Sequence, residues 1–555
     1  MTQYTGAQLM LRLLEREGVR TVSGIPGGAI LPFYDALSTS SQIRHVLARH
    51  EQGAGFIAQG MARVSGEPQV CIASSGPGAT NLITAIADAY LDSIPMVAIT
   101  GQVPRAMIGT DAFQEVDIYG ATVPVTKHNF LVRTVEELLT VIPEAFRLAR
   151  SGRPGPVLID VPKDVQNESI EVAELPPAGN AELRPQLDLE AIARAAQMIN
   201  AAQHPVLYLG GGIVHGGAAE LAVNLAEQAS LPTTMTLMAL GTMPSDHPLS
   251  IGMLGMHGAR YTNKVLAEAD LLVVVGARFD DRAIGRAAEF CPDAKVIHID
   301  VDPAELHKIR QAHVAVHADV SDALTALLPL VEVKLRQPWL EQVTALKAEF
   351  PLRLDGEEEV RSHYGLIKAA ATAVDDEAVV VTDVGQHQMW VAQAYPFRRS
   401  RQWLTSGGLG TMGFGLPTAI GAALAAPQRT VLCFTGDGSF KMNIQELATL
   451  AEEGLNVKII LMNNNALGLV YQQQSLFYGA RRFASRYRSE PDFIRIAEGF
   501  GVAGVDLDTA ADPGRALAEA IATPGPCLIH CTIDREEFVY PMVPPGAANT
   551  EMIGA

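Results

Sequence analysis

Residues 431–465 read VLCFTGDGSFKMNIQELATLAEEGLNVKIILMNNN, and this stretch decides the fold. An apolar run ends in Gly436-Asp437-Gly438, a helical pattern follows, and a second apolar run ends in three asparagines. This order predicts a strand, a crossover helix and a second, parallel strand. Because such a connection is right-handed, both strands end on the same edge of the sheet, where Asp437 and Asn464 are expected to meet.

The helix between the two strands is predicted to begin at Asn443, which would cap it, with Glu446 three residues further on. A carboxylate and an amide oxygen at the strand ends are hard ligands that suit Mg²⁺, which keeps open positions for diphosphate oxygens. The flanking glycines let the backbone approach phosphates closely. Either motif alone is typical of a turn, but the pair predicts a metal and diphosphate site.

Short β-branched runs alternate with helical patterns along nearly all of the 555 residues. This alternation predicts an α/β fold of doubly wound parallel sheets, whose ligands lie at the carboxyl ends of the strands. Two aperiodic stretches interrupt it, from about 166 to 189 and from about 337 to 359. We therefore predict an N-terminal domain (1–165), a central domain (190–333), a C-terminal domain (363–535) and a tail (536–555).

The composition excludes several classes of function. With 42 basic and 61 acidic residues the formal net charge is −19, so most of the surface would repel a nucleic acid. No apolar run is long enough to span a bilayer. A capping-box pattern at Thr5 and Gln8 starts a helix at once, so no signal peptide is expected. Five scattered cysteines favour reduced core residues and a cytoplasmic location.

The spacing of GDG and the later NN resembles the thiamine-diphosphate signature. From Thr5 to the tail PMVPPGAANTEM the chain is similar to catalytic large subunits of the acetohydroxyacid synthase (acetolactate synthase) family. This resemblance implies a pyrimidine-binding, an FAD-binding and a diphosphate-binding domain, in that order. It also implies that Asp437, Asn464 and the carbonyl group of Ala466 hold Mg²⁺.

Two upstream segments, VGQHQMW and SGGLGTMGFGLP, resemble the family's other thiamine diphosphate segments. Met412 would be the apolar wedge that bends the cofactor, and the Gly410 carbonyl would accept from its amino group. The implied cofactor contacts are Val384, Gly385, Gln386, His387, Gly410, Met412, Gly436, Gly438 and Ser439.

Thiamine chemistry requires a carboxyl group against the aminopyrimidine ring, where it exchanges a proton. The segment HEQGAGFIAQGMAR resembles the one that supplies this group in the family, which implies Glu51. A glutamate is ordinarily a surface residue, but the residues that follow are too apolar for a surface position. In the family the two ends of the cofactor are held by different subunits. The resemblance therefore implies a homodimer or homotetramer with its active site at the subunit interface.

The glycines of PVLYLGGGIV follow a predicted strand, which is a weak dinucleotide signal and is equally typical of a tight turn. The segments GARFDDR, IGMLGMHG and TTMTLMALG resemble those that bind FAD in the family, where FAD takes no part in the net reaction. The implied FAD contacts are Gly210, Gly211, Gly212, Thr236, Gly255, Met256, His257, Gly276, Arg278, Asp300 and Asp319.

A ketoacid offers one carboxylate to anchor and one carbonyl to attack, which suits a guanidinium beside an aromatic wall. By resemblance these substrate residues are Phe113, Gln114, Lys163 and Arg282. The chain departs from the family in LGLVYQQQ, where Gln473 replaces a tryptophan that favours 2-ketobutyrate and Leu469 replaces a methionine.

The implied reaction is decarboxylation of pyruvate and transfer of the two-carbon unit to pyruvate or 2-ketobutyrate. The products are acetolactate or acetohydroxybutyrate in branched-chain amino-acid biosynthesis, and a small regulatory subunit is the implied partner. Alternatives are another thiamine-diphosphate enzyme, such as pyruvate oxidase or a carboligase, or a non-catalytic flavin-binding protein. Glu51 argues against the carboligase, in which an apolar residue takes its place. The intact set of Glu51, Asp437 and Asn464 argues against a non-catalytic protein.

Overall fold

The computed structural model of the protein describes residues 1–554, and within them three six-stranded parallel sheets follow one another along the chain. Helices cover the sheets, so the predicted α/β fold of doubly wound sheets is confirmed. In this described part of the chain no helix is long and apolar enough to cross a membrane.

The first sheet has the strand order β3-β2-β4-β5-β7-β6, and β1 pairs with β8 in a separate antiparallel ribbon. Its strands are β1 (Thr2–Thr5), β2 (Thr21–Gly24), β3 (Arg44–Leu47), β4 (Gln69–Ala73), β5 (Met96–Gln102), β6 (His128–Leu131), β7 (Pro156–Pro162) and β8 (Ser169–Val172). Its helices are α1 (Gly6–Arg16), α2 (Leu31–Leu37), α3 (Glu51–Ser65), α4 (Pro77–Asn81), α5 (Ile83–Leu91), α6 (Ile118–Thr122), α7 (Leu138–Arg150) and α8 (Lys163–Asn167).

The second sheet has the order β11-β10-β9-β12-β13-β14. Its strands are β9 (Pro205–Leu209), β10 (Thr233–Met235), β11 (Ser250–Met253), β12 (Leu271–Val275), β13 (Lys295–Asp300) and β14 (Val314–His317). Its helices are α9 (Leu189–Ala201), α10 (Gly211–His215), α11 (Ala219–Ala229), α12 (Arg260–Ala267), α13 (Asp281–Ile284), α14 (Val320–Leu327) and α15 (Gln337–Glu349).

The third sheet has the order β16-β15-β17-β18-β20-β19. Its strands are β15 (Val379–Thr382), β16 (Trp403–Leu404), β17 (Val431–Gly436), β18 (Val457–Asn463), β19 (Ala503–Asp506) and β20 (Cys527–Thr532). Its helices are α16 (His363–Thr372), α17 (Gln386–Ala394), α18 (Gly415–Ala425), α19 (Asp437–Phe440), α20 (Glu446–Glu453), α21 (Gly468–Phe477), α22 (Phe493–Gly499) and α23 (Pro513–Ala522).

One of the two predicted helix caps is present in the structure. Thr5 and Gln8 form the predicted capping box at the start of α1. The prediction that Asn443 caps the next helix of the βαβ unit is wrong. That helix, α20, begins at Glu446. The buried Asn443 Oδ1, which would have to accept from a helix amide, accepts instead from the Gln445 side chain at 2.9 Å, and its Nδ2 donates to the Gly413 carbonyl at 2.6 Å. These side-chain contacts therefore replace the expected cap.

The domain bounds remain predictions, and the structure adds two contacts near them. Strand β8, which begins at Ser169, pairs with the N-terminal strand β1. Helix α15 covers the second sheet, because Trp339 is buried in the same cluster as Val206 and donates to the Pro205 carbonyl at 3.0 Å. Both segments therefore pack on the neighbouring sheets rather than standing apart from them.

The N-terminal and C-terminal thirds of the chain meet where α3 crosses α18. A Cβ atom on Gly60 would lie 2.2 Å from the Thr418 carbonyl oxygen, and one on Gly421 would lie 2.0 Å from the Ile57 carbonyl oxygen. Any side chain at either glycine would collide with backbone atoms, so the two helices touch backbone to backbone. This contact holds the first and third sheets together.

The tail that follows β20 returns across the central domain. The Val543 amide donates to the Met256 carbonyl at 2.9 Å, and the Asn549 side chain donates to the Ala283 carbonyl at 2.8 Å. Ala548 also forms a β-bridge with Gly285. The last residues of the chain therefore fasten two loops of the central domain.

Candidate active site

The metal end of the site lies where β17 and β18 run side by side in parallel. Gly436 pairs with Met462 in the register, which places Asp437 beside the asparagines that end β18. Burial raises the pKa of the Asp437 carboxyl, while Lys441 and the Asn464 backbone amide act in the opposite direction. Its Oδ2 accepts from Lys441 Nζ at 3.2 Å, whereas its buried Oδ1 has no hydrogen-bond partner among residues 1–554. A bare carboxylate oxygen here fits a bound cation.

Asn464 is linked to the first residue of α17. Its amide Nδ2 donates to Gln386 Oε1 at 3.0 Å, and its Oδ1 accepts from the Ala466 amide at 3.2 Å. Burial lowers the pKa of the neighbouring His387 to about 3, so this imidazole is neutral at pH 7. His387 Nε2 is buried without a partner in the described chain, which leaves one ring nitrogen for a ligand.

The predicted thiamine loop surrounds the same strand ends. Gly410 has a φ of +71°, a conformation that a side chain would strain. The Met412 methyl carbon lies 3.6 Å from the position of a Cβ on Gly438. Ser439 Oγ donates to the Val384 carbonyl at 3.2 Å. The structure therefore brings together all the residues predicted to hold the diphosphate and the thiazolium ring.

Asp383 was not predicted, although it organises this loop. Its buried carboxylate accepts from the Val384 amide at 2.8 Å, the Gly413 amide at 2.9 Å and the Gly415 amide at 3.0 Å. Burial raises the pKa of Asp383 to about 6. The only available signal was a carboxylate at the carboxyl end of β15, and the spacing does not reveal partners thirty residues away.

A cavity of about 1090 Å³ opens beside the thiamine loop and continues into the central domain, a volume that suits a dinucleotide. Thr236 Oγ1 and His257 Nδ1 are buried at this site without a hydrogen-bond partner in the described residues. Gly255 does not line the cavity but precedes Met256 with a φ of +92°. The predicted FAD residues in the lining are Gly210, Gly211, Gly212, Thr236, Met256, His257, Gly276, Arg278, Asp300 and Asp319.

The cavity also has a wall from the N-terminal domain that the sequence did not indicate. Arg153 lies in the lining and donates to Glu305 at 2.9 Å and to Asp302 at 3.2 Å in the central domain. Arg153 sits in an SGRPGP turn, which reads as an ordinary loop. Its position depends on the packing of two domains, so no local pattern could have found it.

The predicted substrate residues fall into two groups. Arg282, Leu469 and Gln473 line the cavity together with Gly410. The Arg282 guanidinium lies 3.7 Å from the Met256 sulfur. Gln473, which is predicted to select the acceptor, therefore lines the same cavity as Gly410 of the predicted thiamine loop.

The second group lies at the carboxyl edge of the first sheet and does not line this cavity. Glu51 is the first residue of α3, and its Oε2 accepts from the Asn81 side chain at 2.9 Å. Lys163 begins α8, directly after β7. Gln114 has a φ of +60°, and the side chain of its neighbour Phe113 is 86% exposed. The second group therefore lies outside the cavity that the first group lines.

Known proteins match the whole of this arrangement. The thiamine pyrophosphate enzyme family matches with its N-terminal TPP binding domain at residues 4–121, its central domain at 192–327 and its C-terminal TPP binding domain at 383–531. The chain is 63% identical over 552 residues to the acetolactate synthase isozyme 1 large subunit of Escherichia coli (strain K12), covering 100% of this chain and 98% of that protein. The chain belongs to the acetolactate synthase large-subunit family.

More distant members agree along nearly the same length. Identity is 47% to the isozyme 2 large subunit of the same strain, covering 99% of each chain. It is 46% to acetolactate synthase 1, chloroplastic, of Zea mays, covering 99% of this chain and 88% of that protein. These relatives confirm the predicted family, the acetolactate synthase function and the cofactors of the family, thiamine diphosphate, Mg²⁺ and FAD.

The bare Asp437 oxygen leads to a prediction about the metal. Asp437→Ala removes the carboxylate that is positioned for Mg²⁺, so calorimetry should show loss of Mg²⁺-dependent thiamine diphosphate binding while FAD still binds. Glu519→Ala is a control in the same domain, because it removes an exposed carboxylate on α23 that pairs only with Arg515 among the described residues. Unchanged thiamine diphosphate affinity in Asp437→Ala would exclude this carboxylate as a ligand.

Proposed function

We propose that this chain is a catalytic subunit that decarboxylates pyruvate and joins the remaining two-carbon unit to a second 2-ketoacid. The observation that carries the proposal is the Asp437 oxygen at the strand end beside Asn464, which has no partner among the described residues. It is joined by a cavity that Val384 and Gly410 line together with Gly210 and Gly212. The products would be acetolactate from pyruvate and acetohydroxybutyrate from 2-ketobutyrate. Five buried free cysteines support a reducing, cytoplasmic setting.

The predicted site residues would have different roles, which follow from their positions. Bound thiamine diphosphate supplies the nucleophilic carbon and the electron sink for decarboxylation, with Mg²⁺ on its diphosphate. Met412 would set the bend of the cofactor, and Glu51 would exchange a proton with its aminopyrimidine ring. The Arg282 guanidinium would anchor the carboxylate of the acceptor. FAD bound in the large cavity would fill the space behind residues 406–410 and so exclude water from that side of the thiamine site.

We further propose that two copies of the chain complete each active site, with Glu51 from one and Asp437 from the other. The support is that Glu51 does not line the cavity that holds Gly410 in its own chain. Phe113 and Met107 lie in the same loop after β5 and are 86% and 45% exposed, so this loop presents apolar side chains that an interface would cover. A homodimer would then be the smallest active unit, and a homotetramer would be a pair of such dimers.

A small regulatory subunit is a proposed partner as well. The two relatives from Escherichia coli (strain K12) are described as large subunits, and the chain covers 98% and 99% of their lengths. This agreement supports a matching division of labour, in which this chain performs the chemistry and a second polypeptide senses the amino-acid product.

The function is tested by supplying the purified chain with thiamine diphosphate, Mg²⁺, FAD and pyruvate. We expect acetolactate, measured colorimetrically, and in Glu51→Gln a rate lower by about 10²–10⁴-fold, because a general acid/base group is lost. Glu67→Gln, which alters an exposed carboxylate of the same domain, should retain the wild-type rate. Failure of the wild-type chain to form acetolactate would refute the proposed function.

Sharing of the site between chains gives a second prediction. Neither Glu51→Gln nor Asp437→Ala should be active alone, but in the mixed dimer one of the two sites receives both native residues. Random pairing after co-expression should restore about a quarter of the wild-type activity, since half of the dimers are mixed. A co-purified mixture without activity would contradict a site built from two chains.

The Gln473 position predicts acceptor choice. A glutamine offers 2-ketobutyrate less apolar contact than an indole, and one methylene in an apolar pocket is worth about 1–3 kcal/mol. We expect both acceptors to be used nearly equally at fixed pyruvate, and Gln473→Trp to shift the product ratio about tenfold toward acetohydroxybutyrate. Leu469→Met, on the same helix and in the same cavity lining, should have a smaller effect. A strong preference for 2-ketobutyrate in the unmodified chain would place specificity elsewhere.

A further inference from the structure

Three charged side chains form a buried cluster between the N-terminal and C-terminal domains. Arg63 on α3 contacts Asp88 at 3.2 Å and Asp92 at 2.8 Å, and the three side chains are 5%, 0% and 1% exposed. Two carboxylates share one guanidinium, so the cluster has an excess negative charge. Such a charge is tolerated in the interior only if other donors satisfy it.

Those donors come from the loop 405–411 of the C-terminal domain. Asp92 accepts from the Gly408 amide at 2.7 Å and from the Gly407 amide at 3.1 Å. Asp88 accepts from the Thr411 hydroxyl at 2.8 Å and also from the Ser406 hydroxyl. The loop is thus held by the N-terminal domain through charge-assisted hydrogen bonds, which are the strong kind.

This loop forms a wall between the two proposed cofactor sites. Residues 406–410 line the FAD cavity, and Gly410 is also the predicted contact of the thiamine amino group. On the FAD side, a Cβ on Gly407 would lie 2.3 Å from the Met238 sulfur of the central domain, so the two are in close contact. A shift of the wall would therefore change both sites at once.

Asp92 also reaches the glycine-rich turn of the central domain. Its backbone carbonyl accepts from His215 Nε2 at 3.2 Å, and His215 is the last residue of α10, which begins at Gly211. Burial lowers the pKa of His215 to about 4, so the ring is neutral and donates a single N–H to this carbonyl. One residue thus contacts the thiamine loop through its side chain and the FAD turn through its backbone.

We propose that Asp92 is a positioning residue that couples the two cofactor sites, so that FAD in its cavity tightens the binding of thiamine diphosphate. The inference rests on the proposed function, which places both cofactors beside this loop. Asp92 is in the lining of the FAD cavity, but its carboxylate oxygens are bonded to Arg63 and to the Gly407 and Gly408 amides. FAD packed against residues 406–410 would order the loop in advance, and the second cofactor would then bind to a loop that is already ordered.

The test measures the affinity of the cofactor-free full-length chain for thiamine diphosphate with Mg²⁺, by calorimetry, with and without saturating FAD. In the wild type we expect FAD to lower the Kd about tenfold, a coupling of ordinary size. In Asp92→Asn one accepting oxygen becomes an NH₂ group that faces a backbone N–H. The ratio of the Kd without FAD to the Kd with FAD should therefore fall below about threefold. Coupling is reciprocal, so FAD fluorescence should give the same factor for FAD binding.

Asp160→Asn is the matched control. Asp160 is as buried in the same domain, but it bonds to Thr100 and Gln102 rather than to the loop, so its variant should keep the wild-type ratio. Should Asp92→Asn fail to fold, Thr411→Ala removes one of the two loop hydroxyls that donate to Asp88 while the Arg63–Asp92 pair stays, and it should also lower the ratio.

The possible results distinguish failure of the coupling from failure of the proposed function. A wild-type ratio of one, or an unchanged ratio in the folded Asp92→Asn variant or its Thr411→Ala substitute, would overturn the coupling. A lower melting temperature with an unchanged ratio would reduce Asp92 to a structural role, which also overturns it. Absence of thiamine diphosphate binding by the wild-type chain would instead overturn the proposed function.

Discussion

The close crossing of α3 and α18 is the constraint on which the rest of the site depends. Because Gly60 and Gly421 let the two backbones touch, the first and third sheets have one relative position. Around this crossing the Arg49 and His50 amides donate to Glu446 at 3.0 Å each, and Arg63 reaches the Thr405 carbonyl at 3.0 Å. A side chain at either glycine would hold the two helices apart and so lengthen or break these hydrogen bonds.

Four buried polar atoms of the site are available to bind ligands. Asp437 Oδ1, His387 Nε2, Thr236 Oγ1 and His257 Nδ1 have no partner within the described chain, although each is buried. Such atoms destabilise the chain on its own, and ligands that satisfy them stabilise the folded state by mass action. The thermal stability of the protein therefore depends on the concentrations of its cofactors.

The parts of the fold that follow from local pattern were predictable, and the parts set by distant partners were not. The GDG and NN motifs gave the βαβ unit and the meeting of Asp437 with Asn464, since a parallel crossover has one hand. The glycine run 210–212 after a predicted strand is only a weak dinucleotide signal, and the FAD segments were assigned by resemblance rather than by spacing. Asp383, Arg153 and Asp92 were not predicted, because each bonds to a segment from another part of the chain. The prediction for Asn443 is wrong for a related reason, since its side chain bonds to the distant Gly413 carbonyl.

The tail that crosses the central domain sets an order of events during synthesis. The Met256 and Ala283 carbonyls lie in segments that line the FAD cavity, and their partners, Val543 and Asn549, follow the last strand of the third sheet. Domains generally fold as units from the N-terminus while the chain is made. The central domain therefore completes the rim of its cavity only after the third sheet and residues 543–549 have been synthesised.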